Sequence, residues 1–132
     1  MAVLVDTSVW IDYFKEGKSS TGLDYLIDEN LVVINDIILA ELIPFLMIKR
    51  HSKVIKRLHQ INKVPLQINW AELIESKVRC LKAGINGVGI PGLIIAQNAI
   101  DNDLCIYSLD KHFRLISRVL SLEIYDAPMN LL

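Results

Sequence analysis

Cysteine is scarce in this 132-residue chain: only Cys80 and Cys105 occur, with no C-x-x-C pair and no metal-ligand spacing around them. That excludes a disulfide-rich scaffold and a cysteine-built zinc site, and a reduced cytoplasmic protein is the expectation. Long apolar runs are also missing. No stretch is long enough to span a bilayer, and no basic region precedes the first apolar one, so neither a membrane helix nor a signal peptide is expected. Aromatics make up 7% of the chain, which leaves few candidates for stacking on bases. Net charge is −1, so no whole-molecule field attracts nucleic acid.

Charge of one sign is locally absent. From Pro44 to Ala71 there is no Asp or Glu. The stretch holds Lys49, Arg50, Lys53, Lys56, Arg57 and Lys63, with His51 and His59. Two readings stand side by side. The first is an electrostatic track for phosphates. The second is a solvated helix face opposite the apolar seam of Val54, Leu58 and Ile61.

What is present is apolar: 52% of residues, enough for one domain over 1–132 with a real core. Short apolar runs at 2–5, 31–34 and 104–108 read as strands buried on both faces. Val64–Ile68 reads as a weak strand and LEIY (122–125) as a last one. Helices are expected at 8–14, at 21–29 and from 36 onward with a kink at Pro44. Further helices are expected at about 51–63, from a cap at Asn69 to about 83, at 91–102 and at 111–119. Strands alternating with helices predict a parallel sheet covered on both faces, an α/β sandwich.

In such sheets ligands bind beyond the carboxyl ends of the strands, where strand order reverses. Asp6 follows the first strand and Asp110 the fourth. Glu41 sits in LAELI, an apolar helix segment where a lone acid is expected to need a cationic partner. Asp6 and Asp110 also suit helix caps. Together the three acids suit an oxygen-ligated divalent ion, Mg²⁺ or Mn²⁺. His51, His59 and His112 read as surface residues, His112 on an exposed turn. Trp10, Tyr13, Phe14 and Phe113 read as core before stacking platforms, and Trp70 as half-buried.

VDTSVWIDYF (5–14), LAEL (39–42), GIPGLIIAQNAI (89–100) and YSLDKHF (107–113) resemble, in order and spacing, the signature segments of PIN-domain nucleases, especially VapC-type toxins of toxin–antitoxin pairs. The resemblance spans essentially the whole chain. It implies a three-layer α/β/α sandwich with a five-stranded parallel sheet, and RNA hydrolysis by acids that bind Mg²⁺ or Mn²⁺. By position those acids are Asp6, Glu41 and Asp110, with Thr7, Ser8 and Ser108 as supporting hydroxyls. It also implies a small VapB-like antitoxin seated in a groove between helices, and a homodimer. The excess apolar residues Ile43, Phe45, Leu46, Met47 and Ile48 fit a partner-facing helix.

One position departs from the pattern. The third acid of the family follows the proline that opens the fourth segment's preceding helix, and here that residue is Gly92. A helix N-terminus favours a carboxylate and gains little from glycine. Its presence implies an impaired site. The change fits natural decay into a binding module, deliberate silencing, or selection against a toxic activity. An aspartate-nucleophile phosphatase is the remaining rival, but it wants a second aspartate two residues after Asp6, where Ser8 stands.

Overall fold

The computed structural model describes residues 2–18 and 20–126. Twelve elements follow in order: β1 (Val3–Val5), α1 (Thr7–Phe14), α2 (Gly22–Asp28), β2 (Val32–Ile34), α3 (Asp36–Ile48) and α4 (Ser52–Leu58), then β3 (Asn62–Lys63), α5 (Trp70–Lys82), α6 (Ile90–Asp101), β4 (Cys105–Tyr107), α7 (Lys111–Ile116) and β5 (Glu123–Ile124). The strands form one five-stranded sheet in the order β3-β2-β1-β4-β5, with every pair parallel. Helices on both faces make it the expected α/β/α sandwich. The apolar runs of β1, β2 and β4 are buried throughout, as a doubly covered sheet requires.

Strand order reverses at β1, which pairs with β2 on one side and β4 on the other. The register Val5↔Tyr107 carries directly into Asp6, whose N–H donates to the Tyr107 carbonyl at 2.9 Å. The residues after β1 and β4 are therefore neighbours at the sheet's carboxyl edge. α3 enters the same edge from β2. Ile38, Leu39, Leu42 and Leu46 bury its core face, which turns Glu41 off that face. α3 runs through Pro44 without interruption.

The third strand lies earlier than Val64–Ile68. Asn62 and Lys63 pair with Val33 and Ile34, and the Val64 N–H makes one more bond to the Ile34 carbonyl. Pro65 then ends the ladder because it has no N–H. The basic helix is accordingly shorter than 51–63: it stops at Leu58 so that the chain can turn into this edge strand. Lys63 of the edge pairs with Asp36 at 3.1 Å.

A buried amide chain fixes α3 against α6. Fully buried Asn35 accepts from the Ile38 N–H at 2.9 Å and so caps α3. Its Nδ2 donates to Asn98 Oδ1 at 3.0 Å, and Asn98 Nδ2 donates to the Pro65 carbonyl at 3.0 Å. Asn98→Ala strands the Asn35 amide in the core. It is expected to cost about 1–3 kcal/mol, read as a lower urea midpoint with an unchanged slope. An unchanged midpoint would remove this role from Asn98.

The α1–α2 contact includes Tyr13, whose hydroxyl donates to Asp24 Oδ1 at 2.5 Å. That bond, then burial and the charges of Asp24 and Asp28, push the phenol up to about 12 from its ordinary 10.0. The fold thus favours the protonated phenol. Its contribution is complete below the ordinary value and lost as pH rises through about 12. Asp24→Asn is expected to bring one tyrosine's ionisation down toward 10.0, read by ultraviolet absorbance. Tyr107 and Tyr125, raised first by burial, should keep their positions.

Candidate active site

A cleft of about 360 Å³ opens at the carboxyl edge of the sheet. Asp6, Glu41, Asp110 and Gly92 all line it, with Thr7, Ser8 and His112. Each comes from a different segment that the switch point gathers: the ends of β1 and β4, the second turn of α3 and the first turn of α6.

Asp6 is the most tightly held. It is 7% exposed and caps α1, accepting from the Ser8 N–H at 3.4 Å. Its Oδ2 also accepts from the Ser8 hydroxyl at 2.8 Å and the Ser108 hydroxyl at 2.9 Å. Each serine is oriented in turn by an amide: the Leu109 N–H donates to Ser8 Oγ at 3.0 Å and the Asp110 N–H to Ser108 Oγ at 2.9 Å. Both hydroxyls are thereby committed to one carboxylate oxygen. The other, Oδ1, has no hydrogen-bond partner among the described residues.

Glu41 differs from expectation. It is exposed, and no ion pair among the described residues includes it. Its contact is the Thr7 hydroxyl, which donates at 3.3 Å. The helix turns it into the cleft rather than into the core, so solvent replaces the anticipated cation. Desolvation and the nearby Asp6 charge push its carboxyl up, against the lowering effect of Thr7. Negative potential therefore builds up between these two acids.

Asp110 caps α7, accepting from the His112 N–H at 2.9 Å. The same Oδ1 lies 2.8 Å from His112 Nδ1. His112 is thus not on an exposed turn; it is half-buried on α7 and lines the cleft. A histidine two residues beyond a capping aspartate was the signal for this contact. Gly87, at φ +82°, makes room for the ring: a Cβ there would stand 3.2 Å from His112 Nε2. Lys77 of α5 donates to the Val88 carbonyl, fixing the loop that forms this wall. Neither link was visible in the spacing of the sequence.

At Gly92 a Cβ would meet nothing within 4 Å, and the backbone is not in the left-handed region. Neither packing nor conformation requires glycine here. The donors around the cleft are oxygens, as Mg²⁺ or Mn²⁺ prefers. In number they fall short: among the described residues no group of three or more His, Cys, Asp or Glu is gathered closely enough to hold an ion. The oxygen donors thus fit such an ion in kind, and Gly92 brings no donor to the wall of the cleft it lines.

The exposed cations Lys49, Arg50, Lys53, Lys56 and Arg57 run from the end of α3 along α4. Between α1 and α4 lies a second cavity of about 330 Å³, lined by Trp10, Tyr13, Phe14, Val54, Leu58 and Ile61. Trp10 is buried and stacks on Phe14, so the aromatics serve the core and this cavity together. Met47 and Ile48 stand 64% and 81% exposed at the end of α3. Trp70 is 61% exposed rather than half-buried, because it opens α5 on the helix's outward face.

A parallel sheet of this order, with carboxylates at its switch point, defines a class of fold. The chain matches the PIN domain over residues 3–119 and belongs to that family. Its fold is similar to the crystal structure of VapBC2 from Rickettsia felis bound to a promoter DNA fragment, at TM-score 0.73 and 20% identity over 95% of this chain and 98% of that one. It is similar to DNA-bound VapBC from Salmonella typhimurium, at 0.71 and 17% over 97% and 99%. VapBC-1 from nontypeable Haemophilus influenzae gives 0.70 and 20% over 96% and 98%. At these identities the likeness is one of fold. Comparison with curated proteins finds no match. No helix among the described residues is long and apolar enough to cross a membrane.

Proposed function

We propose that the chain is a Mg²⁺- or Mn²⁺-dependent endoribonuclease toxin of a toxin–antitoxin pair, impaired because Gly92 stands where a fourth acid would complete the site. The observation that carries this reading is the convergence of Asp6, Glu41, Asp110 and Gly92 on one cleft. Asp6, Glu41 and Asp110 would hold the ion, directly or through water. When bound, it supplies a polarised water and offsets charge on the scissile phosphate. Ser8 and Ser108 keep Asp6 Oδ2 engaged and leave Oδ1 for the cleft. His112 holds Asp110 in place. Lys49, Arg50, Lys53, Lys56 and Arg57 attract the RNA backbone, so binding should weaken as salt rises.

A small VapB-like antitoxin is the proposed protein partner. The apolar cavity between α1 and α4 and the exposed Met47 and Ile48 at the end of α3 support an amphipathic tail lying over these helices. The same groove, together with glycine at position 92 of the cleft, supports the second reading: a module that binds antitoxin or RNA without cutting. Incubation with total RNA in Mn²⁺ and in chelator separates the two. Slow cleavage that chelator abolishes supports the enzyme; RNA retained intact in both supports the binding module.

A further inference from the structure

A further cavity, of about 640 Å³, adjoins the cleft, and His112 lines both. One wall is the segment from Ala83 to Asn86 that follows α5. The other is α7 with the turn after it, through Lys111, Leu115, Arg118 and Val119. Topology places both walls at the carboxyl edge of the sheet. α6 begins in the cleft, so the loop before it runs along that edge, and α7 begins there after Asp110.

The lining holds cations and no Asp or Glu. Lys111 and Arg118 are exposed, and neither side chain has an ion pair or hydrogen bond among the described residues. Asp110, beside Lys111 in the chain, is spent on the His112 N–H and ring instead. Arg114, between the two cations in sequence, is paired with Asp126. Asn86 is unspent as well: neither its N–H nor its carboxamide has a partner among the described residues. Buried Ile85 and half-buried Leu115 and Val119 give the cavity an apolar floor. The Val119 carbonyl accepts from Arg79, which brings a third positive charge close to that floor.

We infer that this cavity is a subsite for one backbone unit of single-stranded RNA, holding the strand on one side of the cleft. The inference rests on the reading of the cleft as a site that acts on RNA. A cationic rim over an apolar floor matches a nucleotide: the cations take the phosphate and the floor takes the sugar and an edge of the base. The volume lies within the range of sites for ligands of that size. A strand whose scissile phosphate lies among carboxylates also needs cations on the phosphates next to it. The α4 cations are not so close, because α3 carries the chain about 10 Å past Glu41 before α4 begins. No Phe, Tyr or Trp lines the cavity for a base to stack on, so the subsite adds affinity without sequence preference.

Binding of a fluorescent single-stranded RNA of roughly eight nucleotides, followed by anisotropy in chelator, tests the subsite without cleavage intervening. Lys111→Gln combined with Arg118→Gln should weaken binding by about tenfold or more near 0.1 M salt and lower the salt slope by about 1.4, the scale of two phosphate contacts on a single strand. Melting should be unchanged, since both side chains are exposed and unpartnered. Lys53→Gln combined with Lys56→Gln removes the same charge from α4 and should weaken binding clearly less. The subsite is overturned, with the nuclease reading left standing, if the Lys111 and Arg118 variant binds as tightly as the parent or if the α4 variant loses as much. It is overturned as well if the parent does not bind the RNA in chelator, and cleavage in Mn²⁺ then decides the nuclease reading on its own. Displacement of the RNA by an equal concentration of a nucleoside monophosphate would overturn it too, by making the cavity a free-nucleotide site.

Discussion

Gly92→Asp is expected to raise Mn²⁺-dependent RNA cleavage by at least about tenfold, the lower end of what supporting a metal site is worth. The new carboxylate would enter the cleft at the first turn of α6, where Cβ meets nothing within 4 Å. It adds a charged oxygen donor to the wall that lacks one. Without metal the sign reverses. Two charges roughly 5 Å apart repel by about 3 kcal/mol at an effective dielectric of 20, before screening and protonation reduce it. Asp6 already pushes the Glu41 carboxyl up, so the cleft is short of positive charge before the change. The opposing gains are smaller: about 0.3–1 kcal/mol from the helix N-terminus and roughly 0.5–1 kcal/mol from replacing a helical glycine. In chelator the variant should therefore melt no higher than the parent, and in excess Mn²⁺ clearly higher. Thermal unfolding under both conditions, beside a gel assay on total RNA, reads the two signs. If neither melting nor cleavage responds, position 92 is not the missing ligand and the non-cutting module becomes the better account.

Asp6→Ala, made in the Gly92→Asp background, should lower cleavage by at least about a hundredfold, beyond the range of outer-shell changes. Asp6 is the acid with the most local structure invested in it. Removing it leaves the Ser8 and Ser108 hydroxyls without their shared acceptor and strips the cap from α1. The lost cap costs about 1 kcal/mol. Part of that returns, because Glu41 loses the negative neighbour that raises it. Asp6→Asn keeps an oxygen acceptor and drops only the charge. It should lose nearly as much cleavage while unfolding closer to the parent, which separates loss of chemistry from loss of fold. Cleavage that survives both changes would place the activity outside this cleft.

The central strands and most helices were legible because their signals are local. Three short apolar runs suited doubly covered strands, and Asn35, Asn69 and Asp110 announced helix starts that the structure keeps. β3 was misread because apolar residues at 64–68 outweighed Asn62 and Lys63, yet edge pairing needs backbone partners more than apolar side chains. The acids at 6, 41 and 110 were findable from their positions after strands. Their environments were not. Glu41 looked buried because its neighbours in sequence are apolar, while the helix turns it away from them. His112 was misplaced although its partner Asp110 stands two residues away. Its place in the cleft and the bond of Lys77 to Val88 both depend on the path of the loop holding Gly87 and Val88, which no periodicity describes.

Isothermal titration of Mn²⁺ into this chain and into Gly92→Asp tests the central claim most directly. A divalent-ion cleft lacking one donor predicts weak binding by the parent and saturable binding at least about tenfold tighter by the variant. Superimposable isotherms for the two proteins would contradict it.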